Sequence, residues 1–107
     1  MISRVRRLLQ DGEVPYHWSD DAIKSDLAMS IRALHKVRPE TRYVDGLLVD
    51  YVTLPALDTD PIAIDGRFED ALAYHTAYLA YSDDCTDPVS KSLADDFLAK
   101  FNTFAQI

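Results

Sequence analysis

The side chains able to do chemistry in this chain are few and scattered. His75 lies among apolar residues at helical spacing, and no second His or Cys stands three or four positions away. That spacing would place two metal ligands on one helix face, so His75 reads as a hydrogen-bonded core or interface residue. His17 and His35 are equally isolated. Asp58, Asp60 and Glu69 match the first, third and twelfth positions of a calcium loop. However, Ala63 stands where the loop needs a turn glycine and Ile62 where it needs an oxygen ligand, so the three read as unconnected loop carboxylates. Ser82, Asp83, Asp84 and Cys85 form a polar inter-helix stretch without a nucleophile–base pairing. Gly12, Gly46 and Gly66 are the only glycines and make no phosphate-binding loop. The reading is a protein that is not an enzyme and needs no metal or cofactor.

What remains is chemistry of contact. Arg4 and Arg7 share a helical face, with Arg6 close by. Arg32, Lys36, Arg38 and Arg42 make a second basic cluster. For single residues a solvated, charge-balancing face is the simpler reading. As clusters they suit docking onto an acidic protein surface. Tyr74, Tyr78 and Tyr81 recur along one helix. Core packing explains such a stripe most simply, and a subunit interface, where tyrosine is enriched, explains the part that a small core cannot hold. The candidate contact residues are therefore Arg4, Arg7, Leu47, Val49, Tyr51, Leu54, Tyr74, Tyr78 and Tyr81.

These residues need a frame. Ile2, Val5, Leu8 and Leu9 predict a first helix over roughly residues 2–11, ended by Gly12 and Pro15. Ser19 is a good N-cap for a second helix, with Asp20 and Asp21 against the positive end of its dipole. Its apolar stripe is Ile23, Leu27, Ile31, Leu34 and Val37, and Pro39 stops it. Trp18, just before the cap, is expected to pack beneath the helix start beside Pro15 and Tyr16. The period then changes. Leu47, Val49 and Tyr51 alternate with their neighbours as a strand does, Asp45-Gly46 signals a turn, and Arg42-Tyr-Val44 can be the partner. Ile62-Ala-Ile64 reads as a short return strand. Asp65 is expected to cap a third helix over about 66–82, with Phe68, Leu72, His75 and Leu79 on one face. Asp87, followed by Pro88, opens a fourth whose face is Val89, Leu93, Phe97, Phe101 and Phe104. The structural anchors are Trp18, Ser19, Pro39, Asp65, Phe97 and Phe101. The expectation is one mainly α domain over 1–107: four helices with a small β-hairpin-like insert, about 42–64, between the second and third.

The chain has 107 residues, 48% of them hydrophobic, which suits a single folded domain. A net charge of −7 opposes a main task of gripping DNA phosphates. Arg4, Arg6 and Arg7 interrupt the only apolar N-terminal run, which opposes a signal peptide. No apolar run approaches the roughly 20 residues that span a bilayer. A lone Cys85 cannot form an internal disulfide. A reducing cytoplasm fits these features.

The order of these parts resembles the head–tail adaptor (connector) proteins of tailed bacteriophages. The resemblance rests on Arg4-Val-Arg-Arg-Leu-Leu-Gln-Asp11, Trp18-Ser-Asp-Asp21, Arg38-Pro-Glu40, the strand-like insert before Leu54-Pro55, Asp65-Gly-Arg-Phe-Glu-Asp-Ala71, and the Phe97, Phe101, Phe104 helix. One departure is Ala28, near where such proteins often carry asparagine. The resemblance implies a structural virion protein, made in the host cytoplasm and placed at the head–tail interface. It implies a ring of about twelve copies beneath the portal protein, closed by a head-to-tail interface. That ring would extend the DNA channel, meet DNA only by its passage, and offer a surface to a tail-side connector or completion protein. The alternative is a small cytosolic helical regulator or protein-interaction module. A helix-turn-helix regulator would need a basic recognition helix that the acidic balance does not favour.

Overall fold

The structure is a computed structural model that describes residues 1–9, 18–44, 47–54, 62–64, 66–83 and 88–105. Among these the order is α1 (Ile2–Leu9), α2 (Asp20–Val37), a 3-10 turn at Pro39–Arg42, β1 (Tyr43–Val44), β2 (Leu47–Leu48), a 3-10 turn at Gly66–Phe68, α3 (Glu69–Asp83) and α4 (Pro88–Ala105). The fold is mainly α, with a small antiparallel hairpin between α2 and α3.

The local signals in α2 act as their chemistry requires. Ser19 is extended (φ −70°, ψ 158°), and its Oγ accepts from the Ala22 N–H at 3.1 Å, which satisfies one of the open amides of the first turn. Asp20 and Asp21 sit in that turn. At the other end the Arg38 N–H donates to the Leu34 carbonyl at 2.7 Å, and Pro39 turns the chain into the 3-10 segment. Ile23, Leu27, Ile31 and Leu34 are buried as the stripe predicts, whereas Val37 is exposed.

α3 is the spine, in contact with each of the other helices. It has no solvent stripe of the usual width: Ala71, Leu72, Ala73, His75, Thr76, Ala77, Ala80 and Tyr81 are buried around it. Its alanines leave room for helices on several sides. One core cluster joins Leu27, Ile31 and Leu34 of α2 to Phe68, Leu72 and Phe101, and it also takes in Val52, Ile62 and Ile64 from the insert. A second joins Ile2, Val5 and Leu9 of α1 to Ile23, Ala77, Tyr81 and Phe97. The apolar excess of α3 is thus consumed largely inside the chain.

The insert departs from the alternating pattern. Tyr43 pairs with Leu48 and Val44 with Leu47, and the strands go no further. Asp50 and Tyr51 form a bend. Ile62-Ala-Ile64 is not a return strand but a tight turn in which the Ile64 N–H donates to the Ile62 carbonyl at 2.7 Å. Both isoleucines are buried in the core, so their apolar character serves packing rather than a sheet. The predicted caps Asp65 and Asp87, the turn Asp45-Gly46, residues Pro15, Tyr16 and His17, the carboxylates Asp58 and Asp60, and Cys85 lie outside the described residues.

Candidate interaction surface

The contact residues sort by what already holds them. Arg4 is ion-paired with Asp70 and lies 3.7 Å from Glu69, so its charge is directed at the start of α3. Arg6 is buried. It donates to the Trp18 carbonyl at 3.0 Å and pairs with Asp20, tying α1 to the N-terminus of α2. Arg7 is exposed. Of the first basic cluster Arg7 is the most exposed, whereas Arg4 is partly exposed but paired with acidic side chains and Arg6 is buried. Trp18 is half-buried on the cluster that contains Ile23, edge-on to Tyr81 at 5.5 Å, and its Nε1–H donates to the Ala80 carbonyl at 3.3 Å.

The tyrosine stripe divides likewise. Tyr81 is buried, stacks on Phe97 at 5.9 Å and donates its hydroxyl to the Leu9 carbonyl at 3.2 Å. It is a core residue and presents no face to a partner. Tyr74 and Tyr78 are half-buried: Tyr74 packs on Phe97 and Phe104, and Tyr78 on the His75 ring. Val49 and Leu54 are half-buried against the core. Leu47 and Tyr51 face solvent, and Leu47 is 72% exposed.

The second basic cluster is the more open one. Arg38 leaves it, since its Nε donates to the carbonyl of Ala105 at the C-terminal end of α4, where a cation is favourable. Arg32 and Lys36 stand one turn apart on the outer face of α2, both exposed. Arg42 meets them from the 3-10 turn. Its Nε donates to the Val49 carbonyl at 2.7 Å, the Val49 N–H returns a bond to the Arg42 carbonyl at 3.0 Å, and its guanidinium is 3.7 Å from Asp50. The Arg32 guanidinium lies 4.6 Å above the Tyr51 ring. Together with His35, Pro39, Asp50 and Tyr51 these three cations line an open cleft of about 450 Å³. In the hairpin that follows Arg42, Tyr43, Leu47 and Leu48 expose 58%, 72% and 57% of their surface, and Val37 at the end of α2 is also exposed.

One functional residue of this surface was not picked out by the sequence reading. The Thr41 hydroxyl donates to the Arg38 carbonyl at 2.7 Å, so its oxygen accepts from His35 Nδ1 at 2.6 Å. This assigns the proton to Nδ1 and leaves Nε2 free to accept the Val52 N–H at 3.0 Å. Burial, and then the nearby Arg42 charge, hold the His35 pKa below its ordinary value, which keeps the ring neutral for both bonds. His35 is the latch that fastens the insert to α2. The signal available was its place four residues after Ile31, in line with the buried stripe. Deeper in the core, His75 Nδ1 is 2.8 Å from the Ser30 hydroxyl, which also meets the Asp26 carbonyl and Thr76, and burial lowers the His75 pKa to about 4.

Among the described residues no group of three His, Cys, Asp or Glu side chains is arranged to hold a metal, and no helix is long and apolar enough to cross a membrane. The arrangement offers no juxtaposed nucleophile and base at the cleft. It offers cations, a buried latch and exposed aliphatic side chains. Comparison with protein-family models, curated proteins and solved structures finds no match.

Proposed function

We propose that the protein is a structural adaptor of the head–tail connector type. In this reading it binds beneath a portal protein, forms a ring with copies of itself, lengthens the DNA channel and receives a tail-side protein, without catalysing a reaction or needing a cofactor. The observation that supports it best is the hairpin: it is tied to a helical frame by His35 and Arg42, yet turns Tyr43, Leu47 and Leu48 to solvent. Three large apolar side chains exposed on one short hairpin offer a partner area to cover. The net charge of −7 suits a channel through which DNA must slide rather than stick. A small interface that is weak in free protein, and reinforced by neighbouring sites on a template, would confine ring formation to the portal.

The test is sedimentation of the protein alone and mixed with a candidate portal protein from the same source. The adaptor reading expects a monomer alone and a large stoichiometric complex in the mixture. A stable dimer that ignores portal would favour the regulator or interaction-module reading instead.

A further inference from the structure

We infer that the cleft formed by Arg32, Lys36 and Arg42, together with the exposed Leu47 and Leu48, is a docking site for an acidic segment of a partner protein that also carries apolar side chains. The inference deepens the docking role proposed above, because it names the chemistry of the occupant.

Charge complementarity is the first argument. The cleft wall holds three cations and one carboxylate, Asp50, in a chain whose net charge is −7. Arg32 and Lys36 are like charges one turn apart, a placement that mildly destabilises a helix. Neither is compensated from its own helix: the positions four before Arg32 and four after it are Ala28 and Lys36, and Glu40, four beyond Lys36, is 3.6 Å from Arg38. Asp50 is fully exposed and 3.7 Å from Arg42, too open to cancel the cluster. Among the described residues no carboxylate is paired with Arg32 or Lys36, and Arg32 rests on the Tyr51 ring, so a carboxylate entering the cleft has no ion pair to displace there.

The second argument separates protein from nucleic acid. A phosphate backbone would use the cations but not the neighbouring aliphatic side chains, and it would be repelled by the rest of an acidic chain. Leu47 and Leu48 lie on opposite faces of the hairpin strand and both expose apolar area, which a polypeptide partner wrapping the hairpin can bury. Preorganisation is the third. Two bonds between Arg42 and Val49, and the His35–Val52 bond, fix the hairpin before any partner arrives, so little ordering cost remains.

The probe is a short synthetic peptide alternating Glu with Leu and Phe, with a Gln-for-Glu version and a single-stranded DNA oligonucleotide as controls. Binding is read by fluorescence anisotropy and mapped by amide chemical shifts on the full chain. The expected result is saturable binding that moves the signals of residues 32–36 and 42–51, weakens several-fold from low to high salt, and is at least about tenfold weaker for the Gln peptide. The double variant R32E/K36E should lose about tenfold or more, and so should Leu47→Ser with Leu48→Ser. All four positions are exposed, and an unchanged melting temperature verifies that the fold is kept. Absent saturation, equal affinity for the Gln peptide, indifference to R32E/K36E, or tighter binding of DNA at the same residues would each overturn the inference. So would self-association of the free protein abolished by R32E/K36E, which would make a second copy the occupant. The peptide assay uses no portal, so its failure leaves the adaptor reading to be judged by the sedimentation mixture.

Discussion

His35 and His75 give the fold a defined response to acid. His75 has an ordinary pKa of 6.5 that burial lowers to about 4. Above pH 6.5 the ring is neutral in both folded and unfolded chains and adds no slope. Between 6.5 and about 4 the unfolded chain takes up the proton and the native chain does not, so stability falls as pH falls, by up to about 1.4 kcal/mol per pH unit. Below about 4 that contribution levels off. His75→Gln should flatten this limb of a melting-temperature profile, and an unaltered profile would place the acid sensitivity elsewhere. His35 acts in the same direction, because a proton on Nε2 would face the Val52 N–H with a second donor. His35→Ala should raise the hydrogen-exchange rates of the insert amides, Val52 first, and cost about 1–3 kcal/mol. Trp18 is only half-buried, so Trp18→Ala should cost about 2 kcal/mol, less than a fully enclosed ring would. Reversing Arg4 is expected to lower stability slightly by repelling Asp70 and Glu69, by less than about 1 kcal/mol at these exposed sites. The melting curve is its direct readout.

At the scale of elements, what the sequence made legible is what depends on neighbours in the chain. The Ser19 cap, the stop at Pro39 and the buried stripe from Ile23 to Leu34 are local matters of open amides, ring geometry and period, and each is found. Val37 fails the stripe: it is the last residue of α2 and is exposed, so the period that buries Ile23 to Leu34 ends one turn earlier. The strands were overdrawn for a related reason. The alternation in 47–52 does not report which residues turn inward: Val49 and Val52, three positions apart, pack on the core, while Leu47 and Tyr51 are exposed and the strands stop after two pairs. The candidate surface was half legible. Arg32, Lys36 and Arg42 were visible as a cluster, but only tertiary structure diverts Arg38 to the end of α4 and brings Thr41 and Val52 to the two nitrogens of His35. Likewise an apolar α3 signalled burial, and could not say that α1, α2 and α4 would supply most of it. The hairpin should be separable from the core. Leu47→Asp should shift stability by no more than about 0.5 kcal/mol while removing partner binding, whereas Phe101→Ala should cost about 3–5 kcal/mol.

The whole molecule measures 43 × 28 × 19 Å, a slab in which α3 is enclosed and the basic cleft and hairpin lie on the outside. Its proposed role asks for two properties that pull against each other: a frame rigid enough to hold a channel wall, and surfaces that stay unsatisfied until a template arrives. Two core clusters sharing one central helix meet the first. The hairpin with its flanking cations meets the second. The most direct measurement is electron cryomicroscopy of portal particles incubated with wild-type protein and with the Leu47→Asp variant. The adaptor account expects one added ring of density on the tail-facing end with wild type and bare portals with the variant. Bare portals with wild-type protein, at concentrations where it is folded and in excess, would contradict it.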